Sequence, residues 1–262
     1  YKETLDYFRD SAIAPDGRVK SRWAYTCEDA RAGTCDERGF YETQWGVLLD
    51  SNADQVTNVA ELFDINGDRA WLAGHKEACE RALEYLLRRD SDRDGLVEML
   101  TENHEEARGS DWLDVIWASW ENAFVNAKLY HALTLWAEAE DLLGDPVHSH
   151  RYEEAAGRLK AGFNRPTTQG GLWSEANRWY VHWRDRDDSI HGDNLVTYVN
   201  LMAVAYGLVD DPVRRDAILD RIEAERRKEG LFFWPVCVFS YAKGEGVDWQ
   251  FPFPNYENGD IF

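Results

Sequence analysis

Residues 108–143 read RGSDWLDVIWASWENAFVNAKLYHALTLWAEAEDLL, and their pattern decides the fold. From Val115 onward, apolar residues occur on nearly every side of the helical wheel. A helix that is apolar all round has to be packed on all sides. The stretch therefore predicts a buried helix over 114–143 with other helices around it. Asp111 and Asp114 are expected at its N-terminal mouth.

The boundaries between helices repeat three times along the chain. Residues 67–68 read Gly-Asp, residues 144–146 read Gly-Asp-Pro, and residues 211–212 read Asp-Pro. Glycine just past the end of a helix, followed by Asp or Asp-Pro opening the next one, is the usual asymmetry of helix ends. The sequence therefore predicts three antiparallel helical hairpins.

The two helices of a predicted hairpin differ in character. Residues 114–143 and 194–208 are apolar all round, whereas 69–89 and 213–227 carry one charged face. Alternation of buried and half-buried helices is typical of two concentric rings, so we expect an all-α fold, an incomplete (α/α)6 toroid. The alternating aromatic residues of 173–183 predict a small β-hairpin in a connecting loop.

Composition excludes several classes of partner. The chain has 262 residues, with 49 acidic and 29 basic side chains and a formal net charge of −20. Nucleic acids and anionic membrane surfaces both require a basic face, so neither is an expected partner. The sequence contains no run of 18 apolar residues, so no transmembrane helix is predicted. Cys27 and Cys35 flank one loop and are candidates for a disulfide. Cytoplasmic and secreted locations both stay open, as does the oligomeric state.

One acidic motif resembles a calcium loop. Asp90, Asp92 and Asp94 precede Gly95 in the spacing that opens an EF-hand. The twelfth position is Thr101, so the bidentate glutamate of such a loop is missing. A polar turn is favoured over a Ca²⁺ site, and no cofactor is predicted. The seven histidines show no spacing typical of zinc.

The abundance of aromatic residues indicates a carbohydrate site. Twelve Trp and twelve Tyr are more than packing requires, and aromatic faces in a polar cleft suit the C–H faces of sugar rings. A long loop over 15–44 is expected to be functional because such loops are uncommon inside compact domains. The predicted sugar contacts from these regions are Tyr41, Glu42, Gln44, Trp45 and Trp179.

Carboxylates are the remaining candidates for catalysis. Glycoside cleavage needs a carboxylic acid that protonates the leaving oxygen and, in most enzymes, a second carboxylate. Asp114, just inside an apolar helix, is expected to have its pKa raised by desolvation, as a general acid requires. Asp111 is expected to be wetter and ionised. The alternative is that either aspartate only caps the helix. Glu257 is the best distant carboxylate, although it also fits a solvated loop.

Two segments resemble motifs of the six-hairpin glycosidases, the (α/α)6-barrel glycoside hydrolases and phosphorylases. Residues 111–114 read DWLD and are similar to the D-W-N-D acid motif of cellobiose phosphorylase-like enzymes; glucoamylase-like, amylo-glucosidase and neutral-invertase-like members carry related signatures. Residues 256–262 read YENGDIF and are similar to their E-N-G-G-I-F segment. Leu113 replaces Asn, and Asp260 replaces the second Gly.

The resemblance implies roles for residues of both motifs. The second aspartate of the acid motif is the proton donor there and the tryptophan lines the sugar site, which points to Asp114 and Trp112. Glu257 is carried over as a sugar-binding residue or as the base, with Tyr256 and Asn258 as sugar contacts. The whole chain, residues 1–262, is expected to be one catalytic domain truncated at both ends.

The sequence therefore predicts an inverting glycoside hydrolase that acts on an oligosaccharide or another glycoside. Glycoside phosphorylase is the nearest alternative. A non-catalytic carbohydrate-binding protein or inactive fragment is a second one. A third, a lyase or epimerase on a helical toroid, needs a central histidine base, for which His104 is the best-placed candidate.

Overall fold

A computed structural model describes residues 1–24, 26–44, 46–113, 116–235, 237–239, 241 and 245. Within these ranges the chain is mostly helical. The helices are α1 (Lys2–Ser11), α2 (Asp50–Asn66), α3 (Arg69–Leu87), α4 (Ala123–Leu143), α5 (Pro146–Asn164), α6 (Thr197–Ala205) and α7 (Pro212–Lys228). The strands are two residues each: β1 (Arg22–Trp23), β2 (Phe40–Tyr41), β3 (Glu121–Asn122), β4 (Trp173–Ser174), β5 (Trp179–Tyr180), β6 (Trp183–Arg184) and β7 (Ile190–His191).

The helix ends confirm the three predicted hairpins. Gly67 and Gly144 have left-handed backbone conformations after α2 and α4. The side chains of Asp68, Asp145 and Asp211 each accept a hydrogen bond from a backbone N–H in the first turn of the following helix. These caps satisfy amide groups that have no partner inside the helix, so local sequence alone sets the turns.

Helix packing confirms the alternation of inner and outer helices. α2, α4 and α6 pack side by side, α3 and α5 cover α2 and α4, and α7 covers α6. More than half of α4 is buried, whereas α7 buries only Ile218 and Ile222. The three hairpins form part of an α/α toroid, with α2, α4 and α6 as its inner ring.

The predicted start of α4 is wrong. The helix begins at Ala123 and not at residue 114. The Asn122 side chain caps it there by accepting hydrogen bonds from Phe124 and Val125 N–H. Residues just before it form β3, which pairs antiparallel with β6. Tertiary strand pairing overrides the apolar run of the sequence. α6 is likewise shorter than predicted, since Val196 forms a bridge with Cys237 instead of a helical turn.

The structure of the loops agrees in part with the predictions from the sequence. β4 and β5 form the predicted hairpin, and β3, β6 and β7 form a three-stranded sheet beside the N-terminus of α4. Cys27 and Cys35, the candidate pair, are joined by a disulfide. No helix in the described ranges combines the length and the apolar character needed to cross a bilayer.

Candidate active site

Asp111 lies in a turn ahead of α4. Leu113 N–H donates to Asp111 Oδ1 at 2.8 Å, which makes an Asx turn. The other oxygen, Oδ2, is 2.8 Å from Asn122 Nδ2 and 3.0 Å from His182 Nε2. Asp111 is fully buried. The expectation of a wetter position is therefore wrong, because protein N–H groups take the place of water around this carboxylate.

Trp112 turns outward from the same turn. Its side chain is 41% exposed, and its ring lies 5.4 Å from the Tyr198 ring and 6.3 Å from the Phe124 ring. An exposed indole supported on two other rings is a suitable platform for the C–H face of a sugar. The sugar contact itself stays a prediction.

Several predicted site residues lie outside the described residues. They are Asp114 and Glu257, the predicted acid and base, and Trp45, Tyr256 and Asn258, predicted sugar contacts. Their roles stay predictions.

Tyr41 and Glu42 are buried in the N-terminal loop. The Tyr41 hydroxyl donates to Asp29, and Glu42 Oε1 lies 3.2 Å from Arg18 Nε. Burial raises the pKa of Glu42, and the neighbouring guanidinium opposes that rise. None of the contacts found among the described residues joins either side chain to Trp112. Sugar binding by these two residues therefore stays a prediction without added support.

Gln44 and Trp179 have different surroundings. The Gln44 carbonyl accepts a hydrogen bond from Arg108 Nη1 at 2.6 Å, which places this loop beside the segment that leads to Asp111. Gln44 itself is exposed. Trp179 is only 8% exposed and its Nε1 donates to the Asp193 carbonyl at 2.9 Å. Gln44 is thus open to a ligand near the turn, whereas the Trp179 ring is mostly buried and lies 6.1 Å from the Phe239 ring. Sugar binding by either residue stays a prediction.

A pair of opposite charges lies on the inner ring of helices. Asp50 opens α2 and is 4% exposed; Lys128 of α4 has its Nζ 3.6 Å from Asp50 Oδ2 and 2.7 Å from Asp54 Oδ2. Burial raises the pKa of Asp50 to about 7; Lys128 opposes the rise, and the negative charges of Asp54 and Asp111 add to it. Asp50 Oδ1 accepts no hydrogen bond from another residue in the described ranges.

This charged group adjoins Trp112. Lys128 Nζ lies 4.7 Å from the centre of the Phe124 ring, on which Trp112 also packs. A carboxyl group with a pKa near neutrality can both donate to and accept from a hydroxyl group, and an ammonium donates to one. Sequence reasoning missed Asp50 because an aspartate at the first turn of a helix is indistinguishable from a cap in one dimension.

Glu245 attaches a distant segment to this region. Its carbonyl accepts from Trp117 N–H at 2.8 Å, and its carboxylate Oε1 accepts from Gly192 N–H at 3.1 Å. Oε1 also lies 3.5 Å from His191 Nδ1, and this interaction raises the pKa of His191. Through Glu245, the chain after α7 therefore contacts the segment between Asp111 and α4.

The acidic motif at residues 90–94 forms a tight turn. The side-chain oxygens of Asp90 and Asp92 accept from backbone N–H groups of the same turn. Asp94 Oδ2 is paired with Arg165 and lies 3.6 Å from Arg184 Nη2. The three carboxylates are close enough to share one ion. The two guanidinium groups beside Asp94 favour the polar turn, and the absence of a cofactor stays a prediction.

Comparison with solved structures shows the fold. A GH78 rhamnosidase of Bacillus sp. GL1 is 18% identical with a TM-score of 0.57, over 68% of this chain and 18% of that one. A rhamnosidase from Klebsiella oxytoca with rhamnose bound is 16% identical with a TM-score of 0.58, over 85% and 37%. A GH63 mannosylglycerate hydrolase from Thermus thermophilus is 13% identical with a TM-score of 0.64, over 90% and 68%.

The chain thus spans well under half the length of the two rhamnosidases. A search of curated proteins gave no match. The model of the bacterial α-L-rhamnosidase six-hairpin glycosidase domain matches residues 48–231, which is more than half of the chain and includes the Asp111 turn, Trp112 and the inner helices. The protein therefore belongs to the family of bacterial α-L-rhamnosidase six-hairpin glycosidase domains.

Proposed function

We propose that the protein is an inverting glycoside hydrolase in which Asp114 is the general acid. The observation that carries the proposal is the exposed Trp112 ring, one residue from a buried carboxylate and inside the region that matches a glycosidase domain. Trp112 precedes Asp114 by two positions in the sequence. The family description and a related structure that holds rhamnose favour an α-L-rhamnoside as the first substrate to test.

The second carboxylate is assigned to Glu257. In an inverting enzyme the acid and the base stand ~6.5–9.5 Å apart, with the attacking water between the base and the sugar. The base removes a proton from that water while the acid protonates the leaving oxygen. Inversion then releases β-L-rhamnose first from an α-L-rhamnoside, which proton NMR detects before mutarotation.

Two substrates with different leaving groups distinguish the role of the acid from that of the base. Asp114→Asn should lower kcat/KM for methyl α-L-rhamnoside by about 10²–10⁴-fold, the usual size of general acid catalysis. The loss should be much smaller for the p-nitrophenyl rhamnoside, because nitrophenolate leaves without protonation. Glu257→Gln should impair both substrates equally, since the water attacks in either case. Asp64→Asn, an exposed change on α2, is the matched control.

Full activity of Asp114→Asn toward the methyl glycoside would refute the acid assignment. Product formation that requires inorganic phosphate and yields a sugar phosphate would identify a phosphorylase instead. Binding of rhamnose without cleavage, unchanged by Asp114→Asn, would identify a non-catalytic carbohydrate-binding protein.

A further inference from the structure

We propose that His182 is a positioning residue that holds Asp111 and, through it, the turn that carries Trp112. This inference rests on the proposed function for its catalytic consequence. It concerns a buried network that neither the sequence motifs nor the family match assigns. The network joins four side chains from four separate parts of the chain: Asp111, His182, Tyr198 and Tyr241.

The contacts of His182 define its tautomer. Nε2 lies 3.0 Å from Asp111 Oδ2, and a carboxylate oxygen only accepts, so Nε2 carries the proton. In a neutral imidazole Nδ1 is then an acceptor. The Tyr241 hydroxyl lies 3.1 Å from Nδ1 and is its donor. His182 and Asp111 are both fully buried, so water does not compete for either contact.

The two tyrosines complete the network. Burial raises the pKa of both Tyr198 and Tyr241 well above the ordinary value, so each keeps its proton. The Tyr198 hydroxyl lies 3.1 Å from His182 Nε2, the nitrogen that also faces Asp111 Oδ2, so its oxygen is a second acceptor beside that N–H. Donation therefore runs from the Tyr241 hydroxyl to His182 Nδ1 and from His182 Nε2 to Asp111.

The last member of the network fixes the turn. Asp111 Oδ1 accepts from Leu113 N–H, so the orientation of this carboxylate sets the backbone on both sides of Trp112. Asn122 holds the same carboxylate from the other side while it caps α4. Buried side chains from two other parts of the chain thus hold the Asp111 turn.

The network also supports Trp112 through space. The Tyr198 ring packs edge-on against the Trp112 ring at 5.4 Å. A change at His182 therefore reaches the exposed indole by two routes, the Asp111 turn and the Tyr198 ring. Polar networks of this kind specify one arrangement when every member has a partner.

The test compares His182→Leu, His182→Gln and a matched control, His75→Leu. His75 is also fully buried and its Nε2 lies 2.9 Å from a carboxylate oxygen, that of Asp6, but it belongs to the α1–α3 contact. His182→Leu should lower kcat/KM about 10²-fold, the usual cost of a misplaced site. His182→Gln should recover most of that loss, because its amide N–H can replace Nε2–H. His75→Leu should lower only the unfolding temperature.

A second readout needs no turnover. Amide hydrogen exchange of the peptide over 110–113 should become at least tenfold faster in His182→Leu, since Leu113 N–H loses its fixed acceptor, and should be unchanged in His75→Leu. If His182→Leu does not fold, Tyr241→Phe removes one hydroxyl only and should show the same changes at smaller size.

The two proposals fail in different ways. Equal losses of kcat/KM in His182→Leu and His75→Leu, or unchanged exchange at Leu113, would overturn the positioning role even in an active hydrolase. If the wild-type chain cleaves no glycoside, the exchange measurement decides alone: faster exchange in His182→Leu only would support the positioning of the turn while the hydrolase assignment failed.

Discussion

Replacing Asp50 with asparagine should change how stability depends on pH. Asp50 is buried at the start of α2, and burial raises its pKa from 3.8 to about 7 against the attraction of Lys128. Asp54 and Asp111 are the negative charges that act on it most strongly. The folded protein therefore keeps a proton on Asp50 at pH values where the unfolded chain has lost it.

The sign and the size of the effect follow from linkage. Between pH 3.8 and about 7 the folded state binds more protons than the unfolded state, so the free energy of unfolding falls as pH rises through this interval and levels off above it. At ~1.4 kcal/mol for each pKa unit, the total loss attributable to Asp50 is about 4 kcal/mol. Asparagine resembles the protonated carboxyl and does not titrate.

Urea unfolding at several pH values measures this pH dependence of the free energy of unfolding directly. Asp50→Asn should match wild type near pH 4 and exceed it by up to about 4 kcal/mol at pH 8. Lys128 still has Asp54 at 2.7 Å in the variant, so no unpaired ammonium is created. Asp64→Asn, exposed on the same helix, should stay within about 0.5 kcal/mol at every pH. Parallel curves for wild type and Asp50→Asn would refute the reasoning.

Two further predictions concern cross-links between loops. Arg184→Met should destabilise the protein by about 3–5 kcal/mol, because the buried carboxylate of Glu121 loses its bidentate guanidinium partner. Adding Glu121→Leu should restore much of the melting temperature, and no recovery would contradict this account. Cys27→Ser should cost about 2–3 kcal/mol in urea unfolding through the lost disulfide to Cys35. A reductant should destabilise wild type equally and leave Cys27→Ser unchanged.

Local signals predicted the hairpins correctly because they act over a few residues. Gly67 adopts the left-handed conformation that glycine favours, and Asp68 caps the helix that follows it at once. The same holds for residues 144–146. Such turns need no information from the rest of the chain. The alternation of buried and half-buried helices could also be predicted, because the distribution of apolar residues around a helix indicates how much of it is buried.

The strand β3 and the burial of Asp111 depend on residues far away in the sequence, and the sequence did not predict either feature. The sequence over 116–122 is largely apolar, yet Glu121 pairs with Arg184, 63 positions away, and residues 121–122 form the strand β3 instead of a helical turn. The sequence predicts a wetter Asp111 because this residue lies one turn ahead of the apolar run. Its burial depends on His182, 71 positions later, and no spacing rule relates the two. His182 lies between β5 and β6, and a single histidine in such a connection carries no signal of its partner.

Asp111 and Asp50, the two buried carboxylates near Trp112, differ in the hydrogen-bond donors that surround them. Asp111 receives N–H donors from Leu113, Asn122 and His182, so hydrogen bonds replace water around this carboxylate. Asp50 Oδ1 receives no such donor from another residue in the described ranges, and the charge of Asp111 adds to the rise of its pKa to about 7. Asp50 therefore changes charge near neutral pH. The donors to Asp111 come from its own turn, from the start of α4 and from the segment between β5 and β6, and together they orient the turn that carries Trp112.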